Sequence, residues 1–184
     1  KPKWASFSLS QLFESARTVA AFFNATEGKR WLASIPLHHI AGIGVMLRAL
    51  LTGGTLIFED KSLPPAERIT HVNADYASLV PTQLYRLLRQ PLPPLKTPFL
   101  IGGAPLAESL YRNARSQGLR LSPTYGLTEM SSTVLLTHTP KWDGPFAYLG
   151  EPLANRLLHL SQGGELLVSG NSLFNGYGFP PTPP

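Results

Sequence analysis

PFLIGGAPLAESLYRNARSQGLRLSPTYGLTE, residues 98–129, decides the architecture. Pro98 to Ile101 is a short apolar run stopped by Gly102-Gly103, and it reads as a buried strand. Leu106 to Gln117 follows as a helix, and Gly118 ends it. Leu119 to Pro123 is a second short strand that runs into Tyr125-Gly126. A strand, a helix and another strand in this order make a parallel crossover unit.

The same alternation extends upstream. Arg30 to Ile35 is a strand stopped by Pro36, and Gly42 to Leu51 suits a helix lying on a sheet. Gly53-Gly54 turns the chain into a strand at Thr55 to Phe58. A short helix at Pro65 to His71 and a strand at Tyr76 to Val80 follow. Pro81-Thr82 opens a helix through Arg89, with Thr82 as its cap and Leu84, Leu87 and Leu88 inward. The first helix is Ser8 to Phe23: Ser8 and Gln11 have capping-box spacing, and Leu12, Ala16, Val19, Ala20 and Phe23 form one stripe.

After Ser132 the pattern changes. Thr133 to Leu136, Asn155 to Leu160 and Glu165 to Ser169 are strand-like, and Ser161-Gln162-Gly163-Gly164 is a hairpin turn between the last two. Ser169-Gly170-Asn171 and Asn175-Gly176-Tyr177 read as turns. The expectation is an α/β fold: a mostly parallel sheet covered on both faces by helices, with a smaller antiparallel section. The division falls into residues 1–132 and a β-rich section, 133–184, that closes on Phe179-Pro180-Pro181-Thr182-Pro183-Pro184.

Composition narrows the chemistry. The 184 residues are 43% apolar, which is globular, and contain no cysteine, so thiolate nucleophiles, thiolate metal sites and disulfides are excluded. The net charge is +5, but Lys29-Arg30, Arg86, Arg89, Arg112 and Arg115 are scattered. A nucleic-acid footprint would cluster them, so no nucleic-acid partner is expected. The best apolar run, Ile43 to Leu51, is interrupted by Arg48 and is far below the roughly 20 residues of a membrane span. No signal-peptide core is present, and the expected location is cytoplasmic.

Three unusual segments fall at carboxyl ends of strands, where open parallel sheets bind ligands. They are Pro36-Leu37-His38-His39, Gly102-Gly103-Ala104-Pro105 and Tyr125-Gly126-Leu127-Thr128-Glu129. The second lets backbone approach a flat ligand such as a purine, or is only a tight strand-to-helix turn. The third sets a hydroxyl beside a carboxylate, a donor for phosphate oxygens next to a hard ligand for magnesium, or it is a loop with a helix cap. His38 and His39 are adjacent and are expected to point in different directions; one of them is a candidate for a pocket wall. Ser132 lacks the glycine elbow of a hydrolase nucleophile.

Taken in order, these segments resemble the adenylate-forming superfamily of acyl-CoA synthetases, luciferases and peptide-synthetase adenylation domains. Lys1-Pro2-Lys3 resembles the close of its phosphate loop, with the glycine-rich part missing; Pro36-Leu37-His38-His39 with Gly42 resembles its PLFHxxG segment, with His38 in the phenylalanine position. Gly102-Gly103-Ala104-Pro105 resembles the adenine-side motif, and Tyr125 to Glu129 the YGxTE motif. Gly164-Glu165-Leu166, Gly170 and Gly176-Tyr177 resemble the late GE and GY segments. Within the superfamily, Ser34 to Leu37, Ala77 to Leu84 and Tyr125 to Thr133 are most similar to the 2-succinylbenzoate–CoA ligases.

The resemblance implies part of the large N-terminal domain of an adenylate-forming enzyme. It implies ATP and Mg2+ as cofactors, coenzyme A as co-substrate, a carboxylic acid as substrate, and a homodimer. By motif position, Thr128 would hold phosphate oxygens, Glu129 would bind the metal, and Lys3 would face phosphate. Gly102, Gly103, Ala104, Tyr125 and Gly126 would surround adenine. His39 would orient the carboxylate, and Pro81, Thr82, Ser132 and Thr133 would line or support the substrate side. The family's TGD motif, its hinge and its C-terminal catalytic domain are absent from the sequence, so the expectation is a chain with little ligase activity alone. The alternatives are another aryl- or fatty acyl-CoA synthetase, or a non-catalytic nucleotide-binding remnant.

Overall fold

A computed structural model describes residues 4–144 and 146–178. Its elements run β1 (Ala5–Ser6), α1 (Leu9–Phe22), β2 (Arg30–Ala33), α2 (Ile40–Leu51), β3 (Thr55–Phe58), α3 (Pro65–His71), β4 (Tyr76–Leu79) and α4 (Pro81–Leu87). They continue with β5 (Pro98–Ile101), α5 (Glu108–Ser116), β6 (Arg120–Leu127), a 3-10 turn (Thr128–Met130), β7 (Ser132–Leu136), β8 (Lys141–Asp143), β9 (Phe146–Tyr148), β10 (Arg156–Leu160), β11 (Leu166–Gly170) and β12 (Gly176–Tyr177).

Six strands form the central sheet in the order β3-β2-β4-β5-β6-β7, parallel throughout except for β7. The alternation of strand residues assigns the two faces. Leu32, Leu79, Phe99, Ile101 and Leu121 point to one side, where they meet Ala66 and Ile69 of α3, Leu84 and Leu87 of α4 and Ala114 of α5. Trp31 points to the other side against Val45 and Ala49 of α2, and Leu100 meets Val19 of α1 there. Helices therefore cover both faces, as the sequence predicts. Trp31 and Phe99 are fully buried; truncating either to alanine is expected to cost about 3–5 kcal/mol.

Local chemistry explains the boundaries. The Ser8 capping box forms: the Ser8 hydroxyl accepts from the Gln11 N–H at 3.3 Å, and the Gln11 side chain accepts from the Ser8 N–H at 2.7 Å. Thr82 does not cap α4. The cap position is Val80, whose N–H donates to Gln83 Oε1 at 2.8 Å, while Gln83 Nε2 donates to the Ser34 carbonyl at 2.9 Å. Gln83 thus ties the ends of β2 and β4 together. The strand predicted to stop at Pro123 continues to Leu127. Residues 120–123 pair with β5 and residues 124–127 with β7, so the missing proline N–H sits where β6 changes partner.

Outside the sheet, β10 and β11 form the predicted hairpin. β8 and β9 form a second, unpredicted one. Gly176-Tyr177, expected as a turn, is a strand paired with β1. Among the described residues no helix is long and apolar enough to cross a membrane. Lys3 and the proline-rich ending lie outside the described residues.

Candidate active site

Short loops follow β2, β4 and β5 at the carboxyl edge of the sheet, and β6 runs on past it. Together they enclose a cleft of about 410 Å³, within the range of small-molecule sites. Of the residues singled out in the sequence, His39, Gly102, Gly103, Gly126, Thr128, Ser132 and Thr133 line it. Ile35, Val80 and Leu127 supply apolar wall, and Ser78, Thr124 and Arg48 add polar groups.

Two glycines make this shape. Gly103 has φ +81°, a left-handed backbone that other residues rarely hold. At Gly126 a Cβ would lie 2.0 Å from the Ser132 carbonyl oxygen, so β6 and β7 approach more closely there than any side chain permits. The register also shifts between Tyr125 and Gly126. That bulge re-aims the chain into the 3-10 turn bearing Thr128 and Glu129.

The other candidates stand apart from the cleft wall. Tyr125 and Ala104 are both exposed, and neither lines the cleft. Pro81 is buried at the start of α4 and Thr82 is exposed; neither lines the cleft. Glu129 does not line it either. Its carboxylate accepts a hydrogen bond from the Tyr177 hydroxyl, and that contact pushes the phenol pKa up. The Glu129 carbonyl accepts from the Phe174 N–H at 2.7 Å, which fixes the turn against the chain ahead of β12. The two histidines do not diverge: their rings lie 4.4 Å apart, and His39 alone faces the cleft.

Arg48 is the residue that motif reading missed. It sits on α2, is 2% exposed, lines the cleft, and makes no ion pair among the described residues. Its Nε donates to the Gly44 carbonyl at 2.9 Å, and its guanidinium lies 5.6 Å from the Trp31 ring centre. Burial pulls its pKa down to about 10. The signal was present in the sequence as one arginine in an otherwise apolar helix face. A buried cation beside a cleft and without a carboxylate is a candidate partner for an anionic ligand.

A larger cavity, about 850 Å³, lies at the opposite edge of the sheet. Lys29, Asp75, Arg120 and His138 are among its lining residues, and none of the predicted site residues is. Among the described residues no group of three or more His, Cys, Asp or Glu side chains could hold a metal by itself. A single carboxylate suits magnesium only where phosphate oxygens and water complete the shell.

Residues 1–178 match the family described as AMP-binding enzyme. The chain belongs to the AMP-binding enzyme family. The chain is 35% identical over 176 residues to 2-succinylbenzoate–CoA ligase of Escherichia coli K12, covering 96% of itself and 37% of that protein. A solved structure of E. coli MenE with a bound phenylether-linked analogue of OSB-AMS is 32% identical, with TM-score 0.81 over 96% of this chain and 38% of that one. O-succinylbenzoate coenzyme A synthetase (MenE) of Bacillus subtilis, in complex with ATP and a magnesium ion, shares the fold at 23% identity and TM-score 0.83 over 96% of this chain and 40% of that one. The chain thus spans well under half the length of these relatives.

Proposed function

We propose that the protein represented by this chain is an AMP-forming acid–CoA ligase acting on 2-succinylbenzoate. The observation that supports this reading most is convergence: five residues from three separate motifs line one cleft with Ser132 and Thr133, beside a buried guanidinium that makes no ion pair among the described residues.

In the proposed reaction a substrate carboxylate oxygen bonds to the α-phosphorus of ATP and the bond to pyrophosphate breaks. The thiol of coenzyme A then attacks the adenylate carbonyl, a thioester forms, AMP leaves, and the thiol proton passes to solvent. The chain's part is alignment and charge. Thr128 donates its hydroxyl to phosphate oxygens. Gly102, Gly103 and Gly126 floor the adenine site with Ala104 and Tyr125 beside it, and Lys3 is the phosphate-side lysine by its motif position alone. His39 orients the reacting carboxylate. Ser132 and Thr133 offer hydroxyls on the acid side, and Pro81 and Thr82 support that side through α4. Magnesium, when bound, would neutralise phosphate charge, and Glu129 would supply its carboxylate ligand. Cytoplasmic location, a homodimer, and a division near residue 132, where the parallel run of strands gives way to β7, belong to the same proposal.

Arg48 selects among acids. 2-Succinylbenzoate carries two carboxylates, so one can react while the other meets a buried cation. Benzoate and octanoate carry one carboxylate, which cannot serve both roles. The test is equilibrium binding of 2-succinylbenzoate, benzoate and octanoate to the chain in the presence of ATP and magnesium, with pyrophosphate release measured on a full-length protein containing it. Preference for 2-succinylbenzoate supports the reading. Equal or better response to octanoate would move the protein to the fatty acyl-CoA synthetases, and no nucleotide binding at all would remove it from this function.

A further inference from the structure

The turn that delivers Ser132 and Thr133 to the cleft is held in an unfavourable backbone. Ser131 has φ +55° and Ser132 has φ +102°, two consecutive non-glycine residues in the left-handed half of the map. Such backbone persists only where its surroundings hold it. One hold is local: the Ser131 N–H donates to the Thr128 carbonyl at 2.9 Å, and the Ser131 hydroxyl donates to the Ser172 carbonyl at 2.8 Å. The other comes from across the molecule. Ser15 of α1 donates its hydroxyl to the Ser131 carbonyl at 2.6 Å. That same hydroxyl accepts from Arg156 Nη2 at 3.2 Å, while Arg156 Nη1 donates to Thr18 at 2.9 Å and to the Ala154 carbonyl at 3.1 Å.

Arg156 is costly where it stands. It is 4% exposed, its Nε has no partner among the described residues, and it makes no ion pair there. An apolar side chain of similar size would be less costly to bury in such a place. What Arg156 supplies is geometry. Its forked donors fix the rotamers of two hydroxyls one turn apart on α1, and a fixed Ser15 hydroxyl is aimed at the Ser131 carbonyl.

We propose that Arg156 is a positioning residue for the acid side of the cleft, acting through Ser15 on the Ser131–Ser132 turn. The relay rests on reading Ser132 and Thr133 as substrate-side residues. Its test separates the two claims. Amide hydrogen exchange is followed in the unaltered chain and in Ser15→Ala, Arg156→Met, the double variant and Thr18→Ala. Loss of one hydrogen bond at the turn should speed exchange at residues 131–133 by about five- to tenfold in each single relay variant, with β2 and β5 unchanged. The double variant should be no faster than Ser15→Ala alone, because both changes cut one chain of contacts. Thr18→Ala, which leaves the Ser15–Ser131 bond in place, should leave the turn as it was. Affinity for 2-succinylbenzoate should fall by a similar factor in the relay variants while ATP affinity stays within twofold, about the scatter of such measurements.

Unchanged exchange at residues 131–133 in Ser15→Ala would overturn the relay. So would equal acceleration throughout the sheet, or additive effects in the double variant. Should Arg156→Met fail to fold, Ser15→Ala and Thr18→Ala still decide. If the unaltered chain binds no 2-succinylbenzoate, the reading of the cleft fails, and the exchange pattern still judges the relay.

Discussion

Replacing Arg48 with methionine should stabilise the chain while weakening its hold on the acid. Burial lowers the Arg48 pKa from its ordinary value to about 10. A base depressed in this way is charged against its surroundings. The penalty is complete below pH 10 and fades as pH rises through 10 toward the ordinary guanidinium range. At about 1.4 kcal/mol per pKa unit, it is on the order of 3 kcal/mol at neutral pH. Two contacts offset part of it. The Trp31 ring contributes about 0.5–2 kcal/mol, and the bond from Nε to the Gly44 carbonyl contributes about 1 kcal/mol. Methionine fills similar space without the charge, so Arg48→Met should gain about 1 kcal/mol at pH 7. Urea denaturation at pH 7 and near pH 11 measures the gain, which should shrink at the higher pH. Calorimetry with 2-succinylbenzoate should show about a ten- to hundredfold loss of affinity, the scale of one charge-assisted contact. A variant less stable by more than about 1 kcal/mol, or one that binds the acid normally, would refute the assignment of Arg48 as an uncompensated cation awaiting an anion.

Gly126→Ala should cost about 1–3 kcal/mol in chemical denaturation, because its methyl has only the Ser132 backbone to displace; ATP binding should weaken in the same variant. Ser8→Ala should remove the first capping bond of α1 and lower stability by about 1 kcal/mol, seen as a reduced urea midpoint with an unchanged slope. Glu129→Gln should abolish the magnesium dependence of ATP binding while leaving metal-free AMP binding intact. It should also return the Tyr177 phenol toward its ordinary titration, measured by ultraviolet difference spectra, since the carboxylate raises it.

The parallel core was legible because each strand is short, apolar and bounded by glycine or proline, and each helix carries an apolar stripe. Strands β1 and β12 were not, because two residues give no alternation to read. Pro123 misled in a specific way. Proline usually ends a strand, but here it occupies the one place in β6 where hydrogen bonding passes from β5 to β7. At the site, the glycine segments and Thr128 were recognisable as motifs, whereas Arg48 announced itself only as a charge in the wrong place. Thr82 suits a cap by residue type, but Gln83 reaches back to Val80 and also ties β2 to β4. The Arg156 relay joins residues 15, 131 and 156, and pairing so distant in the chain leaves no periodic trace in a single sequence.

The most direct test of where the chemistry resides is a map of backbone amide shifts on adding a non-hydrolysable acyl-adenylate analogue of 2-succinylbenzoate. Perturbations centred on Gly102, Gly103, Gly126, Thr128, Ser132 and Thr133 are the expected result. Perturbations gathered at the opposite edge of the sheet, around Lys29, Asp75, Arg120 and His138, would contradict the account, as would none at all.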